Sequence, residues 1–237
     1  MKKFMVALIA SAVMCAGAFA GGKYHGDIQL HAGGSLGSIN YRIDVGSSNK
    51  QSIEMRTELI NFDVATWHMW DINDFFSFGG MCNIYGGFGK FGDIYLNDVK
   101  QTISNNTSYE GPFYLGMLIG PAVGLKFGEV VKLNIALGLG TDYLNMMHST
   151  VTYSNANKNR ETYLYYSGVG FGTEIQAKFL PGKKVSPVVG YRFVFLAGDE
   201  AKGRVKIGTS GWKSESQKLD TSLTFYNTFY LGVSFNW

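Results

Sequence analysis

Cysteine is nearly absent from this chain, and proline is scarce. The 237 residues include 2 cysteines and 4 prolines. Cys15 lies in an N-terminal segment that we assign below to a signal peptide, which leaves Cys82 as the single thiol of the mature chain. One thiol cannot form an internal disulfide, so a secreted fold held together by disulfides is excluded.

Charge of either sign is also low. Lys and Arg number 21, Asp and Glu number 18, and the net charge is +3. Lys2 and Lys3 fall in the predicted signal peptide, so the mature chain would carry 19 basic residues against 18 acidic ones. A nucleic-acid-binding domain needs a clustered basic face. The charge balance therefore argues against a nucleic-acid partner.

Long hydrophobic runs are missing as well. The longest in the mature chain, GPFYLGMLIGPAVGL at 111–125, is shorter than the roughly 18 residues that a membrane-spanning helix needs. Pro121 and the glycines of this run would also destabilise a helix. Helical periodicity is hard to find anywhere, whereas a period of two recurs throughout. The sequence therefore predicts an all-β protein without a transmembrane helix.

The N-terminus has the three parts of a secretory signal peptide. Lys2 and Lys3 form a positive region, and residues 4–16 form an apolar one. Ala18 and Ala20 complete an A-x-A cleavage site. We predict cleavage after Ala20.

A lipoprotein signal ending at Cys15 is the alternative interpretation. Met14 stands where lipid attachment requires a small residue, so we give this alternative second place. The predicted organisation is a signal peptide at residues 1–20 and one domain at residues 21–237, with no linker or low-complexity stretch to divide it.

Eight segments alternate large apolar residues with small or polar ones. In residues 131–143, VKLNIALGLGTDY, Val131 and Leu133 lie on one face, and Lys132 and Asn134 lie on the other. We predict strands at 26–40, 54–69, 75–88, 112–127, 130–144, 162–179, 185–197 and 220–236. Tight turns at 70–74, 128–129 and 180–184 alternate with long polar connections at 41–53, 89–111, 145–161 and 198–219. Even strand number, short turns at one end and long loops at the other are typical of a bacterial outer-membrane barrel.

The chain ends on the same alternation, in TFYLGVSFNW. In lipid every backbone polar group must be paired within the protein, so the last strand is expected to pair with the first. The ending also resembles the assembly signal of outer-membrane barrels, which has an aromatic final residue, apolar residues at alternate positions and an internal glycine. The residues that match are Phe229, Leu231, Gly232, Val233, Phe235 and Trp237.

The strand count and connection pattern resemble the small eight-stranded barrels of the OmpX/OmpW/OmpA-barrel group. The resemblance implies an antiparallel, up-and-down transmembrane β-barrel of eight strands in the outer membrane of a diderm bacterium. It also implies its partners: outer-membrane lipid with lipopolysaccharide or an equivalent glycolipid, and, during assembly, the barrel-insertion machinery and periplasmic chaperones.

A soluble, lipocalin-like barrel would show the same alternation with its faces reversed. Here the less apolar face is rich in Gly, Ala and Ser, which suit the narrow interior of eight strands, whereas the large apolar residues suit lipid. We predict an interfacial aromatic belt at the short-turn end, formed by Trp67, Trp70, Phe127, Phe179 and Trp237. A second belt at the loop end would contain Tyr143, Tyr163, Tyr165 and Phe225.

With the apolar face outward, several charged residues point into the lumen. They are Asp27, His31, Asp63, Lys126, Lys132, Glu174, Lys178 and Arg192. Tyr85, Tyr114, Tyr166, Tyr226 and Tyr230 would also point inward, opposite the glycines.

Turn arithmetic predicts which of these side chains meet. A turn centred on Gly182 places Glu174 diagonal to Arg192, within reach of a long side chain. A loop centred near Ser47 brings Asp63 close to His31. Lys126 and Lys132 should lie directly opposite each other, beside Glu129.

These lumen residues have two interpretations. They are either buried ion pairs that fill a narrow interior, or a gate of Glu174 and Arg192 that rearranges to pass ions or small solutes. OmpA-type barrels have such a charged interior plug, and the resemblance implies only that one Glu and one Arg face inward on adjacent strands. Eight strands cannot enclose a wide pore.

We expect a non-enzymatic barrel with a structural or surface-interaction role and a largely plugged lumen. The alternative is an OmpW-like narrow pore for small or hydrophobic solutes, and the third possibility is a lipid-modifying enzyme at the rim.

His148, followed by Ser149, would carry the chemistry of such a rim enzyme. Residues 153–156 match part of the lipid A deacylase motif, but position 152 is Thr where that motif has its catalytic histidine. No metal or cofactor motif is present. The mixed charges of residues 198–219 would suit a surface ligand.

Overall fold

The computed structural model describes residues 23–44, 50–102, 107–152, 159–211 and 213–237. The predicted signal peptide, with Ala18 and Ala20, lies outside these residues. Within them the chain forms nine strands. They are β1 Lys23–Asp44, β2 Lys50–Asp71, β3 Phe76–Leu96, β4 Val99–Lys100, β5 Thr107–Phe127, β6 Val131–Val151, β7 Arg160–Phe179, β8 Val185–Ile207 and β9 Lys213–Asn236. In the described part of the chain, no helix has the length and apolar character to cross a bilayer.

The eight long strands form a closed antiparallel ring. Each pairs with its neighbours along the chain, and β9 returns to pair with β1, from Asp27 opposite Asn236 to Arg42 opposite Thr221. The two-residue β4 pairs only with the end of β3 and adds a short hairpin at the rim. The predicted all-β, eight-stranded, up-and-down architecture is therefore confirmed.

The ring is staggered. Directly paired residues followed once around the barrel from Gln29 return to β1 at Ile39, ten residues further along. A stagger of this kind requires strands tilted by about 35–45° to the barrel axis. Eight strands at this tilt leave an interior only wide enough for side chains.

The strands are longer than the alternation predicts. The eight strands of the ring contain 20 to 24 residues each, so much of the predicted loop sequence is strand. The predicted loop at 198–219 contains the end of β8, at Ile207, and the start of β9, at Lys213. The loops predicted at 41–53, 89–111 and 145–161 were wrong in the same way.

Register shifts explain these errors. One extra residue in a strand reverses which face each following side chain occupies, so a regular alternation stops at a bulge. The predicted strand ends at 54, 112, 144 and 197 each lie within three residues of such a shift. The shifts occur at Met55/Thr57, Glu110/Phe113, Leu115/Gly116, Asp142/Asn145, Tyr166/Val169 and Gly198/Glu200.

The outer surface has two zones. The short-turn half exposes large apolar side chains, such as Phe229 at 67% and Leu231 at 69%. The loop-side half exposes paired charges instead, including Lys90 with Glu58 at 3.0 Å. At about 3.3 Å per residue and a tilt of about 40°, the strands rise about 50 Å, roughly twice the ~25 Å apolar band of an outer-membrane barrel. The barrel wall therefore extends well beyond the bilayer on the loop side.

One predicted belt residue lies inside the barrel. Trp67 is 1% exposed, and its position, an even number of residues from Asp63, places it on the inward face. Phe127 and Trp237 do lie outside, at 52% and 57% exposure. The side chain of Tyr143, assigned to the second belt, is outside the described part of the structure, as is that of Tyr166.

Replacing Leu231 with Arg should test the lipid-facing band. A guanidinium at the bilayer midplane destabilises a barrel by about 2–4 kcal/mol, so the free energy of unfolding from vesicles should fall by this amount. Denaturant titration of the barrel refolded in vesicles measures the change. Gln101→Arg, at an exposed position beyond β4, is the matched control and should change stability little. Equal losses in the two variants would contradict the outward assignment.

Candidate functional site in the barrel lumen

The lumen is lined by polar and ionisable side chains that are almost completely buried. Alternation along each strand turns every second residue inward. Those with exposures of 4% or less include Asp27, Gln29, His31, Asn61, Asp63, Asn83, Lys132, Glu174, Gln176, Lys178 and Arg192. Buried ionic groups of this kind need hydrogen-bonded partners, and those partners define the site.

Arg192 binds Asp63 across the lumen. Its Nη1 and Nη2 donate to the two carboxylate oxygens at 2.8 and 3.1 Å, which makes the contact bidentate. His31 lies directly opposite Asp63 on β1, and its Nδ1 is 3.8 Å from Asp63 Oδ2. The strand register thus confirms the prediction that Asp63 lies close to His31.

Glu174 lies directly opposite Arg192, so its predicted diagonal position was wrong. The turn between β7 and β8 is centred one residue later than Gly182, which moves the pairing by one step. Glu174 accepts hydrogen bonds from Asn83 Nδ2 and Tyr230 Oη, both at 2.8 Å. The guanidinium makes its bidentate contact with Asp63 rather than with this carboxylate.

Tyrosine rings fill the lumen around this ion pair. The Arg192 guanidinium lies 4.4 Å from the centre of the Tyr85 ring, and Tyr230 stacks on His31 with ring centres 4.2 Å apart. Tyr114 stacks on Tyr226 at 4.5 Å. The inward positions predicted for these four tyrosines are confirmed.

Glycines make room for these rings. A Cβ atom at Gly116 would lie 2.5 Å from Tyr85 Cε2, which is too close for any real contact. A Cβ atom at Gly190 would likewise lie 2.3 Å from Tyr230 Cζ. The high glycine content on the inward face therefore follows from the size of the side chains opposite.

An apolar cluster lies on the loop side of the lumen, on the described parts of β1, β2 and β3. Ile39 and Met55 are each 2% exposed. They pack with Tyr41, Ile53, Phe91 and Ile94. This cluster was not predicted from the sequence, because four of its six residues lie in predicted loops. The continued alternation of apolar residues on β1, from Ile39 to Tyr41, is the signal that could have indicated it.

The short-turn mouth of the lumen is basic. Lys126 and Lys132 lie directly opposite each other, as predicted, and Lys132 in turn lies opposite Lys178. Lys126 Nζ donates to Asp71 Oδ2 at 2.6 Å, and Lys178 Nζ donates to a carboxylate oxygen of Asp27. A cavity of about 760 Å³ opens here, and Glu129 is among its lining residues.

His148, the residue considered for rim chemistry, lies on the outer wall. Its Nδ1 is 2.9 Å from Glu110 Oε2, and its Nε2 is 3.5 Å from Thr150 Oγ1. The imidazole stacks on Tyr163 with ring centres 4.2 Å apart. Ser149, the next residue of the strand, belongs to the opposite face. Residues 153–156 lie outside the described residues.

The C-terminal segment closes the ring. Phe229, Leu231, Val233 and Phe235 face outward, between 39% and 69% exposed. Gly232 pairs directly with His31, whose ring occupies the space that a side chain at Gly232 would need. Trp237 exchanges backbone hydrogen bonds with Gly26 at 3.0 and 3.2 Å. Within the described ranges, no group of three or more His, Cys, Asp or Glu residues is arranged to hold a metal ion.

Comparison with known proteins gives a result at the level of the fold. No family model matches the sequence, and no curated protein matches it. Among solved structures, a major outer membrane protein from Thermus thermophilus is similar over 91% of this chain and 100% of its own, with 9% identity and a TM-score of 0.57. The outer membrane protease OmpT from Escherichia coli is similar over 90% of this chain and 96% of its own, with 7% identity and a TM-score of 0.46. The attachment invasion locus protein Ail of Yersinia pestis is similar over 90% of this chain and 99% of its own, with 11% identity and a TM-score of 0.39.

Two observations now agree. The strands form a closed ring with short turns at one end. The short-turn half of the outer surface is an apolar band. Such a band requires an acyl-chain environment. A closed ring pairs the backbone N–H and C=O groups of every strand within that environment. The chain has the fold of a small bacterial outer-membrane β-barrel and is an integral protein of the outer membrane of a diderm bacterium.

Proposed function

We propose that this barrel is non-enzymatic, that its lumen is closed, and that it has a structural or surface-interaction role in the outer membrane. The observation that carries the proposal is the bidentate contact between Arg192 and Asp63, whose side chains are each 1% exposed. Separating the partners of this ion pair would leave two unpaired charges in the lumen, shielded from water. The free energy cost of that separation keeps the two side chains together. Removing one partner of a buried pair costs about 3–5 kcal/mol.

The apolar cluster near the loops supports the same proposal. Ile39 and Met55 are buried on β1 and β2 on the loop side of the ion pair, and Leu59 and Tyr226 are buried between them and the polar residues. A narrow apolar constriction resists hydration, so ions cannot cross it even where no charge repels them. The proposed closed lumen would thus have two successive barriers of different chemistry.

A narrow pore for small or hydrophobic solutes is the second candidate function. Glu174 is directly opposite Arg192 on the neighbouring strand, which gives the guanidinium a second carboxylate within reach. A transfer of Arg192 from Asp63 to Glu174 would open space at the centre of the lumen. The apolar cluster would still lie in the path of a hydrated ion, which favours a hydrophobic solute for this candidate.

Lipid contact is the proposed role of the outer wall. Charged pairs stand above the apolar band, where the sugars and phosphates of lipopolysaccharide or an equivalent glycolipid lie. They include Arg56 with Glu54 at 3.1 Å, Lys100 with Asp93 at 2.7 Å and Lys206 with Glu161 at 3.6 Å. Because each cation already has a carboxylate nearby, we propose weak, exchangeable contacts with these headgroups. The described strand ends above this wall would also suit a cell-surface ligand.

Assembly is proposed to depend on β9. Its outward alternation of Phe229, Leu231, Val233 and Phe235 presents an apolar edge to the barrel-insertion machinery, after transport by periplasmic chaperones. The terminal Trp237 carries this pattern to the end of the strand.

We propose that the contacts of His148 are structural. The distance of 3.5 Å between Nε2 and Thr150 Oγ1 exceeds a normal hydrogen bond to a nucleophilic hydroxyl, and Glu110 is largely exposed to solvent. The backbone of His148 and Ser149 pairs with β5 on one side and with β7 on the other, so their N–H groups are not free to stabilise an oxyanion. Stacking on Tyr163 and pairing with Glu110 would instead join β5, β6 and β7 above the bilayer.

Single-channel recording in planar bilayers tests the closed lumen. The wild-type barrel should give no conductance steps, and Arg192→Ala alone should stay closed because the apolar cluster remains. The double variant Arg192→Ala/Met55→Ala should conduct, since it weakens both barriers. Arg56→Ala, on the outer wall, is the control and should behave as wild type. Reproducible steps from the wild-type barrel that Arg192→Ala enlarges would contradict the proposal and favour the pore.

The non-enzymatic proposal predicts that His148→Ala changes no lipid. Mass spectra of outer-membrane glycolipids should be the same for a deletion strain carrying the wild-type gene or the variant. Hydrolysis of a chromogenic ester by the two purified barrels should also be equal. A lipid product that depends on His148 would overturn the proposal and support rim chemistry.

A further inference from the structure

The short-turn mouth of the barrel concentrates lysine. The cavity of about 760 Å³ is lined by the ends of several strands and two short turns. Its lining includes Lys23, Lys126, Lys132, Lys178, Lys183 and Lys184, against the two carboxylates of Asp71 and Glu129. In outer-membrane barrels the short turns face the periplasm, so this cavity opens to that compartment.

Three of these lysines form a row across adjacent strands. Lys126 on β5, Lys132 on β6 and Lys178 on β7 are directly paired, and all three point inward. Like charges directly opposite on neighbouring strands destabilise a sheet, so the arrangement needs compensation by negative charge.

The protein compensates only the two outer lysines of the row. Lys126 binds Asp71, and Lys178 binds Asp27. Lys132 Nζ is 2.7 Å from His25 Nε2, and no carboxylate of the described residues lies within ion-pair distance of it. His25 Nδ1 is itself 3.5 Å from Asp71 Oδ1, so one carboxylate serves both Lys126 and the histidine.

A glycine makes room for the side chain of Lys132. Gly124 lies beside its aliphatic stem, and a Cβ at Gly124 would be 2.5 Å from Lys132 Cε. Lys132 is 2% exposed, so its ammonium group is shielded from bulk water as well as short of negative charge. An unpaired ammonium is costly to bury, and an anion that enters the cavity would supply the missing negative charge.

We propose that the mouth binds a phosphate group, as inorganic phosphate or as a phosphate monoester from the periplasm, with Lys132 at the centre of the site. A phosphate carries up to two negative charges and several acceptor oxygens, so it can accept from more than one ammonium group at once. A carboxylate brings a single charge, and chloride brings no directed acceptors. The site is independent of whether the lumen above it conducts, because the phosphate would enter and leave through the same opening.

Isothermal titration with inorganic phosphate tests the site. The folded barrel, in a detergent without phosphate groups, is titrated at constant ionic strength in chloride buffer. Lys132→Gln should weaken binding at least tenfold, whereas Lys90→Gln, which removes an exposed lysine of the outer wall, should leave it unchanged. Asp71→Asn should strengthen binding several-fold, because it removes competing negative charge from the cavity. Gel mobility before and after heating checks that each variant is folded.

A second titration distinguishes the source of the phosphate. Glycerol 3-phosphate represents a soluble monoester, and short-chain phosphatidic acid represents a lipid headgroup. Preference for the lipid would assign the site to headgroups, and equal binding would assign it to free phosphates. Phosphate binding that is as strong in Lys132→Gln as in the wild-type barrel would overturn the proposal, and so would a wild-type barrel that binds no phosphate in chloride buffer.

Discussion

A backbone amide in hydrocarbon has no water to bind, and the rest of this structure follows from that constraint. A sheet in lipid must pair every strand on both sides, so β9 has to return to β1. The pairing extends to the last residue, where Trp237 and Gly26 exchange hydrogen bonds. Closure with eight strands and a stagger of ten residues then fixes the width of the interior before any lumen side chain is considered.

The narrow interior determines the chemistry inside. The inward tyrosines enter where the opposite strand carries glycine, as Tyr85 does beside Gly116. Ionic groups in so small a space must satisfy one another, and Arg192 and Asp63 do so across the lumen. The result is a sequence of layers along the axis: a basic mouth, a buried ion pair with tyrosines, and an apolar cluster. Each layer would affect passage differently, which is why the proposed function and the proposed phosphate site can be separated experimentally.

The outer wall shows a second division. The apolar band covers about half of the strand length, and charged pairs such as Lys90 with Glu58 occupy the rest. In the described strands, register shifts are confined to the loop-side half, where no lipid enforces regular pairing. In the wall above the membrane, a register shift can therefore change which side chains of a strand face outward and how the strand curves. This part of the barrel meets the cell exterior.

The sequence by itself determined the class of fold, the number and order of strands, and the face that each regular strand turns to lipid. It also determined register within hairpins, because a turn of known length fixes which residues lie opposite; His31 with Asp63, and Lys126 with Lys132, were predictable for this reason. Where a turn was centred one residue wrongly, Glu174 was misplaced by one step. Trp67 was misassigned because its size suggested a belt although its position in the alternation required the lumen. Only the tertiary structure decided the contacts across the lumen, such as Arg192 on β8 with Asp63 on β2, and the charge deficit at Lys132. Such contacts depend on ring closure and stagger, which arise from all eight pairings together and leave no local pattern in the chain.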